Sequence, residues 1–544
     1  MTTGDIRRIN LSTSMFERLI AEGQFFVDKT RLIEHFLSTS SDVSLIARQR
    51  RLGKSLNMDM LRCFLTDKED FRHLFKGLYV EKSPVWCKAN SSPAFGFDFK
   101  GLTQAKYKMY IFDMVAKHLE SYCEEGDMPR AVRRYVSSED FDNPEGLRYL
   151  TEAVHKVSGK RSYIFIDEYD KLLIDSFKTE AYAEIRSFMT ALFQAAMKGN
   201  PYLEKALLTG VLRISHESMF SGLNNIETFD VFRDATYTDD YGFTEDEVSA
   251  INQLTDFDAD KLREWYNGVR IGGKPIYNTY SVMSFMKNKS FSCYWGRSGT
   301  MDIITELLDD GRRAMLAKLL SGEEVWVSIS DRISLQELFG TASDQAFYSL
   351  LVQAGYLALC HWTEGQSSLA RLSIPNVELM RVWKDFILEK LHPDTQRLRT
   401  LFDNLKNPEA FACDVQHFLQ DRLSYHDLAA VSGESPRKVQ ERVYHVFFLG
   451  LLSAYDSASC RRPSSNRESG DGRSDIEVER PEADVIFELK ACKKEDDLEA
   501  TAEKALAQIV ERRYGADLVR GKPLVKVGVA FFGKQCCVKV KHNA

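Results

Sequence analysis

The chain has 544 residues, of which 44% are hydrophobic and 28% charged, with 13 prolines; this excludes a disordered or low-complexity class and leaves room for about three to four domains. A formal net charge of −7 excludes a protein that coats nucleic acid by bulk electrostatics, so any such binding must come from local basic surface. MTTGDIRRIN lacks the apolar run of a signal peptide, no segment reaches membrane-span length, and the ten cysteines form neither a CxxC pair nor a zinc-type spacing, which together point to an intracellular protein with reduced thiols and no membrane partner.

In chain order, the first forty residues read as a helix, an aromatic-rich turn at Phe25 to Lys29 and a second helix. DVSLIA (Asp42 to Ala47) is a short buried strand that runs straight into RQRRLGKS (Arg48 to Ser55), and SLNMDMLRCFL continues as a helix. Strand, loop, helix is the context a phosphate-binding loop requires. Amides at the helix start, around Gly53, would point at phosphates; Lys54 would add charge at the β and γ positions, and the Ser55 hydroxyl would ligate Mg2+. The loop departs from G-x-x-x-x-G-K-[ST] because Arg48 stands at the first glycine, where a side chain forbids the freest backbone angles. Arg50 and Arg51 either contact phosphate or lie in solvent.

AFGFDF (Ala94 to Phe99) is a further strand. SYIFIDEYDKLL (Ser162 to Leu173) is a buried strand ending in Asp167 and Glu168, a Walker B arrangement in which Asp167 holds Mg2+ and Glu168 polarises an attacking water. The competing reading is an acidic helix-capping turn with Asp170 as the cap. KALLTGVLRIS follows as another strand, whose terminal Thr209 or Arg213 either senses the γ-phosphate or is ordinary strand-end polarity. An extra strand between the loop and the Walker B strand, here Ala94 to Phe99, is the layout of additional-strand ATPases.

FVDKT, RQRRLGKSLNMDML, IFIDEYD, LLTGVLRISHESMFSGLNNI, YGFTEDEV, WYNGVRIGG and YNTYSV, in that order, resemble the AAA-ATPase-like family over about residues 5 to 300, a family often fused to a PD-(D/E)XK nuclease domain. The resemblance implies ATP binding, with efficient hydrolysis a weaker inference, and makes the missing first glycine a family trait. It also implies a helical lid from Tyr241 to about Trp295, and ring-like homo-oligomers by analogy alone.

Residues 300 to 395 read as helices followed by a hairpin, a winged-helix pattern whose second helix lies near Asp344 to Gln353. DQAFYSLLVQ carries no Arg or Lys to meet phosphates, which favours a protein-contact or coupling role. Beyond it come an apolar helix (Lys438 to Leu452), a turn SNRESGDGRSDIEVER leading into a strand, a strand ADVIFELKACKK, a helix EATAEKALAQIVERR and a strand PLVKVGVAFF. On IFELK, Glu488 and Lys490 are two residues apart and share a face; Asp475 opens the neighbouring strand of a hairpin that brings it beside Glu488. The two carboxylates would hold Mg2+ or Mn2+, with the Leu489 carbonyl completing the shell, and Lys490 would orient water or stabilise developing charge. YHVFFLGLL, SNRESGDGRSDI, FELK and AEKALAQI are similar to the PD-(D/E)XK nuclease domain. That resemblance adds Glu441 as a further metal ligand, Arg473 beside the aspartate, and Gln508 facing the site. Lys534, Lys539 and Lys541 form a basic edge that either meets a phosphate backbone or protects a strand edge.

The expected fold is α/β and multidomain: an additional-strand P-loop NTPase of three αβα layers (1–230), a helical lid (231–300), a winged-helix-like coupling region (301–398) and a restriction-endonuclease-like domain (399–544). The expected function is ATP binding at Arg51, Gly53, Lys54, Ser55, Asp167 and Arg213, with Glu168 as the catalytic residue of that site, polarising the attacking water. ATP would control a Mg2+-dependent nuclease acting on DNA ahead of RNA. The alternative is a nucleotide-dependent switch or scaffold whose nuclease-like domain binds without cutting.

Overall fold

The computed structural model describes residues 2–214, 223–234, 236–255, 257–296, 300–320, 322–340, 343–362, 369–391, 407–422, 464–469, 472–479, 483–492, 497–516, 523–532 and 535–543. The chain forms two compact units, one of residues 1–303 and 326–378, the other of 304–325 and 379–544.

The first unit is built on five parallel strands: β1 (Val43–Ala47), β2 (Ala94–Asp98), β3 (Ser162–Asp167), β4 (Leu203–Gly210) and β5 (Ile226–Phe229), in the order β2-β3-β4-β1-β5. Every residue of β1 and β3 is buried, as expected of central strands covered on both faces by crossover helices. Helix α1 (Lys54–Leu65) packs on β2 and β3, and α2 (Tyr107–Tyr122), α3 (Gly146–Ser158) and α4 (Tyr182–Met197) form a further layer. The additional strand is present but is not the one expected: β4 separates β1 from β3, and Ala94–Asp98 lies at the sheet edge. Long helical crossovers free strand position from chain order, and β4 brings Thr209 next to the end of β3.

Helices α5 (Glu245–Gln253), α6 (Ala259–Tyr266) and α7 (Thr279–Asn288), with the hairpin β6 (Val269–Ile271) and β7 (Lys274–Ile276), follow the sheet. Their core joins Trp265, Tyr266, Val282 and Phe285 to Ile9, Phe25 and Val27 from the start of the chain. Thr244 and Glu247 form a reciprocal capping box that starts α5.

The middle segment is β8 (Val325–Ser328), α8 (Leu335–Phe339), α9 (Asp344–Ala354), β9 (Ala358–Trp362) and β10 (Leu369–Ser373), with sheet order β8-β10-β9. Two helices and a hairpin stand in the expected order, with a further strand, VWVS, where the sequence reads as helix. In α9 every residue from Ala346 to Ala354 is buried, so it offers no free face to a DNA groove.

The second unit contains α10 (Pro408–Arg422), β11 (Ser464–Ser469), β12 (Gly472–Glu479), β13 (Asp484–Ala491), α11 (Leu498–Glu511), β14 (Leu524–Phe532) and β15 (Gln535–Asn543). The five strands lie in chain order, antiparallel except for the parallel pair β13/β14 that α11 connects. SSNRES, expected as part of a turn, is a strand paired with β12. The apolar helix at 438–452, with Glu441, lies outside the described residues. No described helix is long and apolar enough to cross a membrane, and the nine described cysteines are free thiols.

Candidate nucleotide and nuclease sites

Gly53 precedes the first residue of α1 with φ +87°, and Arg51 also lies in the left-handed region at +65°. The unusual backbone angles of the loop therefore fall at Arg51 and Gly53 rather than at Arg48. Arg48 is fully buried: its guanidinium pairs with Asp234, donates to the carbonyls of Ala47 (2.9 Å) and Phe229 (3.1 Å), and lies over the Tyr241 ring. Burial pulls its pKa down to about 10 against the opposing charges of Asp230 and Asp240. It anchors the loop from beneath.

Lys54 Nζ donates to the carbonyls of Arg48 (2.9 Å) and Gln49 (2.8 Å), and burial lowers its pKa. Ser55 Oγ donates to Asp167 Oδ2, and Thr209 Oγ1 donates to Asp167 Oδ1 at 2.5 Å. Lysine at a helix start, a serine beside it and a carboxylate on the adjoining strand are the donor set that phosphate and Mg2+ require. Glu168 follows with φ +54°, its pKa raised by burial and by Asp167 and Asp170, with Lys54 opposing.

Asp170 does not cap the following helix; its Oδ2 accepts the backbone N–H groups of Val211 (2.9 Å) and Leu212 (2.8 Å). It thereby ties the end of β4 to the end of β3. Arg213 is spent on Asp230 (2.6 Å) and Asp331 (3.1 Å). Arg51 reaches the other way: its guanidinium donates to the Tyr294 carbonyl and sits 4.2 Å over Tyr280, while its carbonyl accepts from Thr279 Oγ1. Arg51 is thus a tie between the loop and the α7 segment.

One glutamine connects the loop to α9, and a second connects α9 to the segment after β4. Gln49 Nε2 donates to the Val352 carbonyl (3.4 Å), and its side chain fills the space beside Gly355. Gln353 Oε1 accepts from Arg213 N (2.8 Å), and its Nε2 donates to the Asp331 carbonyl. Ile333 N donates to the Arg213 carbonyl. Sequence reasoning missed both residues; the visible signal was a glutamine inside the apolar run SLLVQAGY.

In the second unit, Ile476 pairs with Phe487 across the β12/β13 ladder, and one further step places Asp475 opposite Glu488. Asp475 Oδ2 accepts from Leu489 N at 2.8 Å. Glu488 is 4% exposed; its Oε1 accepts from Gln508 Nε2, and its Oε2 is buried without a hydrogen-bond partner. Lys490 Nζ donates to Gln508 Oε1 (2.6 Å) and stands 3.6 Å from Glu488 Oε1. Burial, then the Asp475 charge, push the Glu488 pKa up to about 8, with Lys490 opposing. A buried carboxylate oxygen with no donor, facing a second carboxylate, fits a divalent cation: the charge that destabilises the pair would be neutralised there.

Two contributors were missed. Tyr514, whose hydroxyl lies 3.3 Å from Gln508 Nε2, carries no sequence signal. Gly528, beside Glu488 in the β13/β14 register, would place a Cβ 2.4 Å from the Ala502 carbonyl and 2.5 Å from Leu506 N. A glycine inside the strand VKVGVAFF marks such close backbone approach, and it lets α11 bring Gln508 to the site.

Residues 10–220 match the family model described as predicted AAA-ATPase, and residues 439–541 the PD-(D/E)XK nuclease superfamily. An uncharacterised protein in the vnfD 5′ region of Azotobacter chroococcum mcd 1 is 29% identical over 381 residues, 69% of each chain. Among solved structures, the Aeropyrum pernix ORC2 protein in ADPNP–ADP complexes is 10% identical with a TM-score of 0.33, covering 72% of this chain and all of that one. A STAND ATPase with a tetratricopeptide repeat sensor from Pyrococcus horikoshii is 11% identical with a TM-score of 0.26, covering 78% of this chain and 58% of that one. Residues 10–220, which carry the parallel β2-β3-β4-β1-β5 sheet, are thus similar to a predicted AAA-ATPase, and residues 439–541, which carry the mixed sheet, to the PD-(D/E)XK nuclease superfamily.

Proposed function

We propose that this protein is an ATP-controlled, Mg2+-dependent nuclease. The observation that carries the reading is the convergence of Asp475, Glu488, Lys490 and Gln508, with Glu488 Oε2 buried and unpartnered. Mg2+ held by the two carboxylates would activate water and neutralise the scissile phosphate. Gln508 fixes the rotamers of both Glu488 and Lys490 by bonding each, so the ammonium is held ready beside the carboxylate. From there Lys490 orients the attacking water or stabilises charge developing on the phosphate.

In the ATPase-like domain, Lys54 and the amides at the start of α1 take the phosphates, Ser55 and Asp167 take Mg2+, and Glu168 stands where an attacking water is polarised. Thr209 and Asp170 hold this acidic edge in place. A second reading, in which nucleotide acts as a conformational switch without cutting, draws on the bonds from Lys54 to the loop carbonyls and from Gln49 to α9.

The deciding experiment is cleavage of labelled single- and double-stranded DNA and RNA in Mg2+ or Mn2+, with and without ATP, for wild type, Glu488→Ala and Lys54→Ala. Cutting that vanishes in Glu488→Ala and loses its ATP response in Lys54→Ala supports the proposal. ATP binding with no cutting of any substrate transfers support to the switch.

A further inference from the structure

Lys526 is an anomaly in the β14 strand. It is 9% exposed, and β14 is hydrogen-bonded along both edges, to β13 and to β15. Protection of an exposed edge, which accounts for lysines on β15, therefore does not account for it. Register sets its surroundings: Ile486 lies beside it on β13 and Lys541 directly opposite on β15. Side chains two apart share a face, so Lys526 lies on the same face as Gly528, which meets α11, and Ile486 shares that face with Glu488.

Among the described residues neither Lys526 nor Lys541 has an ion pair. Lys539, by contrast, is committed to Glu499 and Glu503 of α11. Like charges directly opposite across a sheet are destabilising, and partial desolvation of the Lys526 ammonium adds to that cost. Burial and Lys541 both lower the pKa of Lys526, and no carboxylate offsets them.

We propose that Lys526 and Lys541 form a seat for a phosphate of the nucleic-acid backbone on the sheet face that carries Glu488. Lys526 is one strand over and one same-face step back from Glu488, about 8 Å by sheet geometry. The seat supplies local basic surface that the chain's net charge of −7 does not. The inference rests on the nuclease reading for its substrate class, but its test needs no cleavage.

Binding of fluorescently labelled single- and double-stranded DNA and RNA is measured by anisotropy at several salt concentrations, in EDTA, on the full chain carrying Glu488→Gln. Lys526→Met, Lys541→Met and Lys539→Met are added to that background singly, with Lys526→Arg as the charge-preserving variant. Each of Lys526→Met and Lys541→Met is expected to weaken binding about three- to tenfold and to reduce the slope of log K against log salt by about 0.7–0.9, the release expected for one phosphate contact. Lys526→Arg and Lys539→Met are expected to keep the parent slope. Equal slopes for all variants, an equal loss in Lys539→Met, or no binding to any of the four substrates would overturn the seat. The exposed Lys541→Met keeps the test open if Lys526→Met fails to fold. Cleavage by the Glu488-containing protein is scored separately, so a wild type that binds with the expected slope but does not cut removes the nuclease reading and leaves the seat.

Discussion

Arg48 stands where a phosphate loop ordinarily has glycine, and it faces the protein interior rather than a ligand. Its removal strands Asp234 as a buried charge, so Arg48→Ala is expected to cost about 3–5 kcal/mol, measured by urea unfolding; unchanged stability with lost ATP affinity would show instead that it is a phosphate contact. Glu488 makes a pH-dependent prediction. Its folded pKa of about 8 lies above the ordinary carboxylate value, so the folded state holds the extra proton between roughly pH 4.5 and 8. The contribution to stability is fully present below that window and is lost as pH rises through it. In EDTA, Glu488→Gln is therefore expected to raise the melting temperature more at pH 8 than at pH 5. A stability difference that does not vary with pH would contradict this. At this scale the sequence is legible where function is contiguous: Lys54 and Ser55 share one loop, and the period of two in IFELK sets Glu488 and Lys490 on one face. Asp170 and Gln353 were not legible, because their partners, the amides of residues 211–213, follow a strand whose place is fixed only by tertiary structure.

Between elements, the decisive contacts are those of α9 and α11. Just past the end of α9, Gly355 has φ +87°, and a Cβ there would lie 2.5 Å from Gln49 Cδ. Gly355→Ala is expected to disturb Gln49 and weaken binding of a fluorescent ATP analogue severalfold, while leaving metal-dependent cleavage without ATP unchanged; equal ATP affinity would show that the contact does not reach the loop. Gly528→Ala drives a Cβ into the backbone of α11, where no side chain can yield. Expected outcomes are a lower melting temperature and loss of cleavage as Gln508 is displaced. Retained activity would mean that α11 does not need its close approach. Helices α1, α8, α9 and α11 were legible in the sequence, and β1 and β3 from short buried runs, whereas α2, α3, α4 and α10 were not read. VWVS was not, because four residues are too few to show alternation, and SSNRES was not, because a polar strand owes its conformation to its partner β12 rather than to burial.

At the scale of the molecule, the two units are interleaved along the chain: 304–325 belongs with 379–544, and 326–378 with 1–303. Sequence could not show this, since residues 300 to 395 read as one run. Leu316 and Leu319, on the intervening segment, are nearly fully buried. A fragment of residues 379–544 is therefore expected to melt at a lower temperature than the same fragment with 304–325 supplied in fusion, as followed by circular dichroism; equal melting would show that the segment is dispensable. The interleaving also sets an order of synthesis. As the chain leaves the ribosome, residues 304–325 of the nuclease-like unit emerge before α9 and the three-stranded β8-β10-β9 sheet exist. They must wait, with Leu316 and Leu319 uncovered, until the rest of their own unit is made. Domains tend to fold as units during translation, so the nucleotide-binding half is complete while the half bearing Asp475 and Glu488 is still unfinished. No nascent chain can assemble the Asp475–Glu488 site before the nucleotide-binding part has been made.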